Sequence, residues 1–569
     1  MLLNGMPLNV GPLNGLGGSG DAVGPIEILP GMAFAWRLRL VVNGDDWTAR
    51  LVGAVEIDRE EGSAGTASFT LYLGTDPVSP SAWLGRPVEI HYASTYDGLS
   101  TEIVRFIGRI AEPTFDAVGR TLTARCSDQL QQRIEALDIT QIDSLIGGHW
   151  SSDVFEPVDG RSRWDYAQER LTTVTASLDS SPGGDIRLSS WYPRQADFLF
   201  GSGTSVYGTA RIEPAALDSQ VNRVEIECDY RFSRLWQWNI NYGWKAPGTD
   251  GQDGEPGFCN WRPESHELPD TEMVESATSS SGQTLIQSST EYYPLPPTGI
   301  YCTPPQSWVN KYTGLLLGAD WAAGRRWVQA VTESYRIAVE VQPSVLATGP
   351  IISRSRASFE IDSDLAESWE SAAITGGSSG HIDQPSETRR IGALTCLLEQ
   401  ARATLVGAHR GTTVSWDCPT SMVMAVDLTH TLKFDDQRIK AVGKCRRVLD
   451  RFDLESGSAI TTLSIAVMRG GGGDSDALTP PSGSGAAPEL PAFDGRLESQ
   501  IAGQPDDPPF DESKDGFSGN YDNYNSPQPR YPRQLRITAP EIPASLRDEY
   551  SPEIGASFRV SVPDDLLEM

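Results

Sequence analysis

Ala35-Trp36-Arg37-Leu38-Arg39-Leu40-Val41-Val42-Asn43-Gly44 reads as one strand and the turn that ends it. Trp36, Leu38, Leu40 and Val42 share one face and alternate with Arg37, Arg39 and Val41. That period of two is what a half-buried strand requires. The alternation returns in Ala67, Phe69, Leu71 and Leu73, in Val88, Ile90 and Tyr92, and in Leu122, Ala124 and Cys126. Asn43-Gly44-Asp45, Glu61-Gly62, Asp97-Gly98 and Val118-Gly119 are turn signals between these runs. Short strands at such spacing predict a small barrel or sandwich over 31–137, its last stretch, from Ser127 to Leu137, turning helical.

Outward from that domain, residues 138–205 read as a mixed α/β peripheral domain. Trp164, Ala167, Leu171 and Val174 recur at helical spacing and predict a helix over 163–177. Val224, Ile226, Cys228 and Tyr230 alternate with charged residues, so 206–235 returns to strand. Residues 236–325 are rich in Trp, Tyr, Pro and Gly and read as an insertion. The β-pattern resumes over 326–469, interrupted by a helix over 391–408 that carries Leu394, Leu397, Leu398, Ala401 and Leu405. Residues 206–235 and 326–469 are therefore grouped as a second β-barrel domain. The fold class expected is mainly β with a few helices (α+β).

The ends read as extended. Residues 1–30 hold a period-five repeat that places Leu3-Asn4, Leu8-Asn9 and Leu13-Asn14 in one phase. Asn, Gly and Pro favour turns, and so short a segment has no core of its own, so it is expected as an arm against a neighbouring subunit. Residues 470–490, with Gly470 to Gly473, Pro480-Pro481 and Ser482-Gly483-Ser484-Gly485, have the composition of a flexible linker. The tail 491–569 is expected to be extended, with strand candidates at 533–538 and 557–562. Phe558, Val560 and Val562 are candidates for adding a strand to a partner's sheet edge.

Composition excludes several functions. Lys plus Arg number 46 against 76 Asp plus Glu, a net charge of −30. Such a surface repels phosphate, which disfavours nucleic-acid binding by counterion release; it suits a wall past which DNA slides, or solubility alone. No run approaches the roughly 18 apolar residues of a spanning helix, and MLLNGMPLNV lacks the pattern of a secretory signal. Synthesis in a cytoplasm is expected. None of the seven cysteines forms a CxxC pair. Cys259 and Cys302 could pair, and an iron–sulfur site using Cys396, Cys418 and Cys445 stays open as a minor alternative to the expectation of no cofactor. Gly15 to Gly20 matches GxGxxG without a strand before it or a helix after it. Gly376-Gly377-Ser378-Ser379-Gly380 matches GxSxG without a strand leading into a helix. The six histidines include no HExxH and no pair at helical spacing. No catalytic, cofactor-binding or metal-binding residue is assigned.

The order of short motifs resembles the opening domain of bacteriophage tail hub proteins. The motifs are Val42-Asn43-Gly44, Glu60-Glu61-Gly62-Ser63-Ala64, Gly85-Arg86-Pro87-Val88-Glu89-Ile90, Phe106-Ile107-Gly108-Arg109-Ile110, and Thr121-Leu122-Thr123-Ala124-Arg125-Cys126-Ser127-Asp128. Val221-Asn222-Arg223-Val224, Tyr230 to Leu235, Ala441-Val442-Gly443-Lys444-Cys445 and Asp453 to Ala459 extend it, so it covers about 31–235 and 330–469. The resemblance implies a non-enzymatic homotrimer in the virion tail tip, with two tail-tube-like barrels per subunit. It implies a ring that passes DNA without specific binding and carries fibres or a tip protein. Two other classes compete: a receptor- or glycan-binding tail protein using the aromatics of 236–325, and a virion-borne cell-wall hydrolase.

Overall fold

The computed structural model describes residues 2–3, 6–7, 24–30, 34–75, 77–246, 268–295, 298–300, 307–309, 314–361, 378–502, 509–520 and 531–569. The chain is mainly β, 48% strand and 17% helix, as its alternating runs predict.

The first sheet holds the strands that the opening stretch announces. Ala35–Val42, Pro87–Tyr96, Leu99–Asp116, Thr121–Ser127, Thr66–Tyr72 and Leu51–Glu60 lie side by side in that order. Their inward faces, among them Leu38, Leu40, Ile57, Phe69, Leu71, Val88, Ile90 and Leu122, form one core. Pairing among the described strands does not close this set into a barrel. A side-chain seam spans the gap instead. Trp36 Nε1 donates to the Gly457 carbonyl at 2.9 Å, and the Trp36 ring lies 6.0 Å from Phe452, which belongs to the same core.

The strand Ile439–Asp453 joins this sheet to a second β core. One edge takes Thr431–Asp436 along residues 439–444 and then Leu51–Glu60 along 447–453; the other takes Ser458–Val467. The bulge between Cys445 and Arg447 bends the strand where its neighbours change. Phe198, Phe200, Val414, Trp416, Leu432, Phe434 and Ile465 fill this second core.

The grouping of 206–235 with 326–469 is divided by the pairing. Arg223–Lys245 and Leu316–Glu340 form one long antiparallel hairpin, in register from Arg223↔Glu340 to Lys245↔Gly318, in a separate sheet. Its near half is covered by the helix Glu387–Ala408, whose Leu394, Leu397, Leu398 and Leu405 meet Tyr230, Phe232, Val331 and Tyr335. Its far half, with Thr284–Pro294 and the helix Thr271–Ser280, forms another core around Trp238, Trp244 and Trp321.

The peripheral domain contains the expected helix, but over Arg163–Leu171 only. Thr172 and Thr173 end it by turning their hydroxyls onto the carbonyls of Glu169 and Arg170, at 2.6 and 2.8 Å. The hairpin Ala176–Ser180/Ile186–Ser190 follows.

Residues 470–490 are held against the fold, and so are the described stretches of 491–569. Gly470 is glycine because the C-terminal segment lies on it: a Cβ there would fall 2.3 Å from Val562 Cβ. Gly495 plays the same part where Gly495–Ala502 joins the long hairpin, since a Cβ would sit 2.1 Å from the Asn241 carbonyl oxygen. Pro481 accepts from Arg390 Nη1 at 2.6 Å and Ser484 N donates to Glu333 at 2.7 Å. Glu553–Arg559 then adds in parallel to Leu316–Glu340, Val562–Asp564 pairs Arg469–Gly472, and Leu567–Glu568 pairs Ile439–Asp453.

Candidate interface elements and buried charge junctions

Phe558, Val560 and Val562, expected to meet a partner, lie in the chain's own fold. Val560 and Val562 are buried in the core beneath the helix Glu387–Ala408, and Phe558 packs against it half-buried. The strand does add to a sheet edge, but the edge is this chain's own Ser334–Glu340. Of the arm residues, Leu3 lies in a two-residue strand paired with Met6–Pro7. Asn4, Leu8, Asn9, Leu13 and Asn14 lie outside the described residues, as do Cys259, Cys302 and the stretch Gly15 to Gly20.

The other cysteines are distributed by packing. Cys396 is buried on the helix Glu387–Ala408, while Cys418 and Cys445 are in the second β core. Burial pushes each of these three thiols up to about 12, so each is a protonated small hydrophobe. Among the described residues no group of three His, Cys, Asp or Glu could hold a metal ion. Ser378 and Ser379 sit ahead of the short strand Gly380–Asp383 and serve the backbone. The Ser378 carbonyl accepts from Asn239 Nδ2 at 2.6 Å, and Ser379 Oγ accepts from Asn239 N at 2.9 Å. This is a strand-edge clasp, with no helix after the serine. Trp236, Trp238, Trp244 and Trp321 are core residues, so the aromatic insertion does not present them to a ligand.

Charged groups that the sequence leaves anonymous converge where the domains meet. Asp427 receives Arg59 on one oxygen and Arg187 on the other, each at 2.6 Å, and Arg187 also reaches Asp179 at 2.7 Å. Burial alone would raise the Asp427 carboxyl; the two guanidiniums outweigh it and hold it far below the usual carboxylate range. Arg410 binds Glu61 at 2.6 Å nearby. These contacts fasten the peripheral hairpin and the end of the helix Glu387–Ala408 to both β cores. A deeper pair, Arg105 with Asp450, links the two cores directly.

Asp565 holds the C-terminal strap. Its carboxylate accepts from Met468 N at 2.8 Å, and its own N donates to the Met468 carbonyl at 2.9 Å. Burial, with help from Asp564, pushes it up to about 6, against the backbone hydrogen bond and Arg469. A folded pKa above the unfolded value favours the protonated form, so this contribution is present at low pH and is lost as pH rises through about 6. Asp565→Asn should therefore flatten the slope of melting temperature against pH between about 4 and 6. An unchanged slope would show that another group sets it.

No described helix is long and apolar enough to cross a membrane. No family model matches the chain, and no curated protein matches it. Among solved structures it is similar to a tail protein from Neisseria meningitidis MC58, at 10% identity over 76% of this chain and 96% of that one, TM-score 0.34. It is also similar to the 43 kDa tail protein of prophage MuSo2 from Shewanella oneidensis, at 9% identity over 76% and 98%, TM-score 0.36. A third is a prophage tail protein from Listeria monocytogenes EGD-e, at 6% identity over 75% and 94%, TM-score 0.30.

Proposed function

We propose that this chain is a structural subunit of a bacteriophage tail, a hub protein of the baseplate. In this reading it is made in the host cytoplasm and carried at the tail tip. Three copies close a ring that continues the tail-tube channel and anchors a fibre or tip protein. The observation that carries the reading is the junction of the two β cores. The strand Ile439–Asp453 runs from one core into the sheet of the other, so each subunit is a continuous wall segment with two β units. Three such chains supply six units, a count that matches a sixfold tube, and ring closure protects edges that pairing within the chain leaves open.

The motifs behind the resemblance support it from a second side. Val42-Asn43-Gly44 and Glu60 to Ala64 form turns at the ends of the first core's strands. Asp128 ties the start of one strand to the next helix, accepting from Gly65 N at 2.9 Å and Leu130 N at 3.1 Å. The net charge of −30 fits a lumen that lets DNA slide. The role needs no catalysis, and incubation with peptidoglycan is expected to release no fragments.

Mass photometry of the full chain is expected to give three copies. A stable monomer or a sixfold ring overturns the reading. In a map of the tail tip the inner face of the ring is expected to be acidic or polar; a lumen lined by Lys and Arg contradicts it.

A further inference from the structure

Residues 130–190 keep their apolar surface to themselves. Leu130, Ile134, Ile142, Ile146, Tyr166 and Leu178 close a core of their own. Among the described residues of this stretch, Val154 alone packs on another core, and it is half-buried. What binds the unit to the rest is polar. Arg187 meets Asp427 at 2.6 Å, Asp153 pairs with Arg389, and Gln400 Nε2 donates to Thr172 Oγ1 at 3.0 Å. An interface with so little apolar contact gains little from burial, and interfaces of that kind let domains move.

The seat beneath the unit is incompletely satisfied. Arg59 is 3% exposed, yet its Nε and Nη2 have no partner among the described residues. The same holds for Glu61 Oε1, Arg187 Nη2 and Arg410 Nε. A buried polar atom left without a partner carries its full desolvation cost, so the closed junction holds a penalty that water relieves on opening. Both ends of the unit have the make-up of hinges. Gln129, between the first core and Leu130, has φ 57° and ψ 36°, a left-handed conformation that is costly for a residue with a side chain. At the other end Trp191 belongs to the unit: its N donates to the Thr175 carbonyl at 3.0 Å and its Nε1 to Ser177 Oγ at 2.6 Å. Arg194 belongs to the second core, its N donating to Thr431 Oγ1 at 3.0 Å. The change of allegiance therefore falls between Trp191 and Arg194.

We propose that residues 130–190 form a hinged module that swings off the two β cores about Gln129 and the stretch 192–194, and that the ion pairs of Arg187 and Asp153 latch it closed. Opening lifts the Trp191 ring from Gly407, where a Cβ would meet it at 3.5 Å, and from the Arg410 guanidinium 5.0 Å away. It brings the unpartnered atoms of the junction to water and leaves the module's own core intact. The inference does not depend on the ring reading, because every group it uses lies within one chain.

The double variant Gly62→Cys/Ser177→Cys supplies a lock. A Cβ on Gly62 would lie 3.8 Å from Ser177 Cβ, the usual separation across a disulfide. Gly62 has φ 74°, which strains a cysteine, so the oxidised and reduced forms of the same full chain are compared. Hydroxyl-radical footprinting reads Trp191, with Tyr166 in the module's core and Trp416 in the second β core as buried references. Trp191 is expected to react faster in the reduced form than in the oxidised one, with both references unchanged. Arg187→Met, made without the lock, is expected to shift the open-to-closed ratio at least about tenfold and to raise Trp191 modification above the wild type. Equal Trp191 rates in the locked and unlocked forms overturn the hinge. A rise at Tyr166 alongside Trp191 overturns it too, because the unit would then be unfolding and not swinging. If the pair does not oxidise, Arg187→Met decides alone, and an unchanged Trp191 rate overturns the proposal.

Discussion

A chain ending at residue 552 is expected not to fold cooperatively. The deleted segment supplies Val560 and Val562 to the core beneath the helix Glu387–Ala408, and Phe558 to its margin. Burying a valine contributes about 1.5–3 kcal/mol, so the two together are worth about 3–6 kcal/mol. The net stability of a domain is about 5–15 kcal/mol. Deletion also uncovers the Leu316–Glu340 edge and the surface of Gly470, and removes the ion pair of Arg559 with Asp476 at 2.8 Å. Soluble yield should collapse, or the product should lose its unfolding transition in circular dichroism. Val562→Asp is the milder version: it places a charge in a site with no exposure and should cost about 3 kcal/mol or more. A truncated chain that melts at the wild-type temperature would show that the strap is an ornament on the fold.

That result also measures how far the sequence could be read. Composition alone makes 470–490 a linker and 491–569 a tail, because Gly and Pro runs are the usual mark of flexible chain. Here Gly470 is small so that Val562 can reach the backbone. Flexibility and close approach demand the same residue, and only the distant partner distinguishes them. The strands of the first core were legible because alternation fixes which face is buried. It does not fix which strand lies alongside, which is why 223–235 is grouped with the second core although it pairs in a separate sheet, while Arg211–Glu213 of the same span does pair that core's Thr412–Pro419. The aromatic insertion hides its own alternation: Trp236, Trp238, Ile240, Tyr242 and Trp244 are spaced by two and all are buried. Their bulk and the Pro-rich sequence beyond them read as a change of domain, whereas the strand runs unbroken to Lys245.

Asp450→Asn is expected to be the most damaging single substitution that leaves side-chain shape unchanged. Asp450 accepts from Arg105 Nε at 2.9 Å and Nη2 at 2.6 Å, and from Thr461 Oγ1 at 2.6 Å. Arg105 also reaches the Met424 carbonyl at 3.2 Å. Both charged side chains are essentially without exposure. Burial works against the Arg105 charge, but Asp450 outweighs it and keeps the guanidinium protonated. Asparagine keeps the shape and removes the charge, so a buried guanidinium loses its counter-ion. Breaking such a pair costs about 3–5 kcal/mol. The position makes the loss global, since Arg105 lies on a strand of the first core and Asp450 on the strand that carries both. The apolar double variant Arg105→Met/Asp450→Leu strands no charge and should recover most of the loss. Denaturant midpoints for the single and double variants decide the point. A drop below about 1 kcal/mol for Asp450→Asn, or a double variant no better than the single, would mean that the two cores are held by their shared sheet and not by this pair.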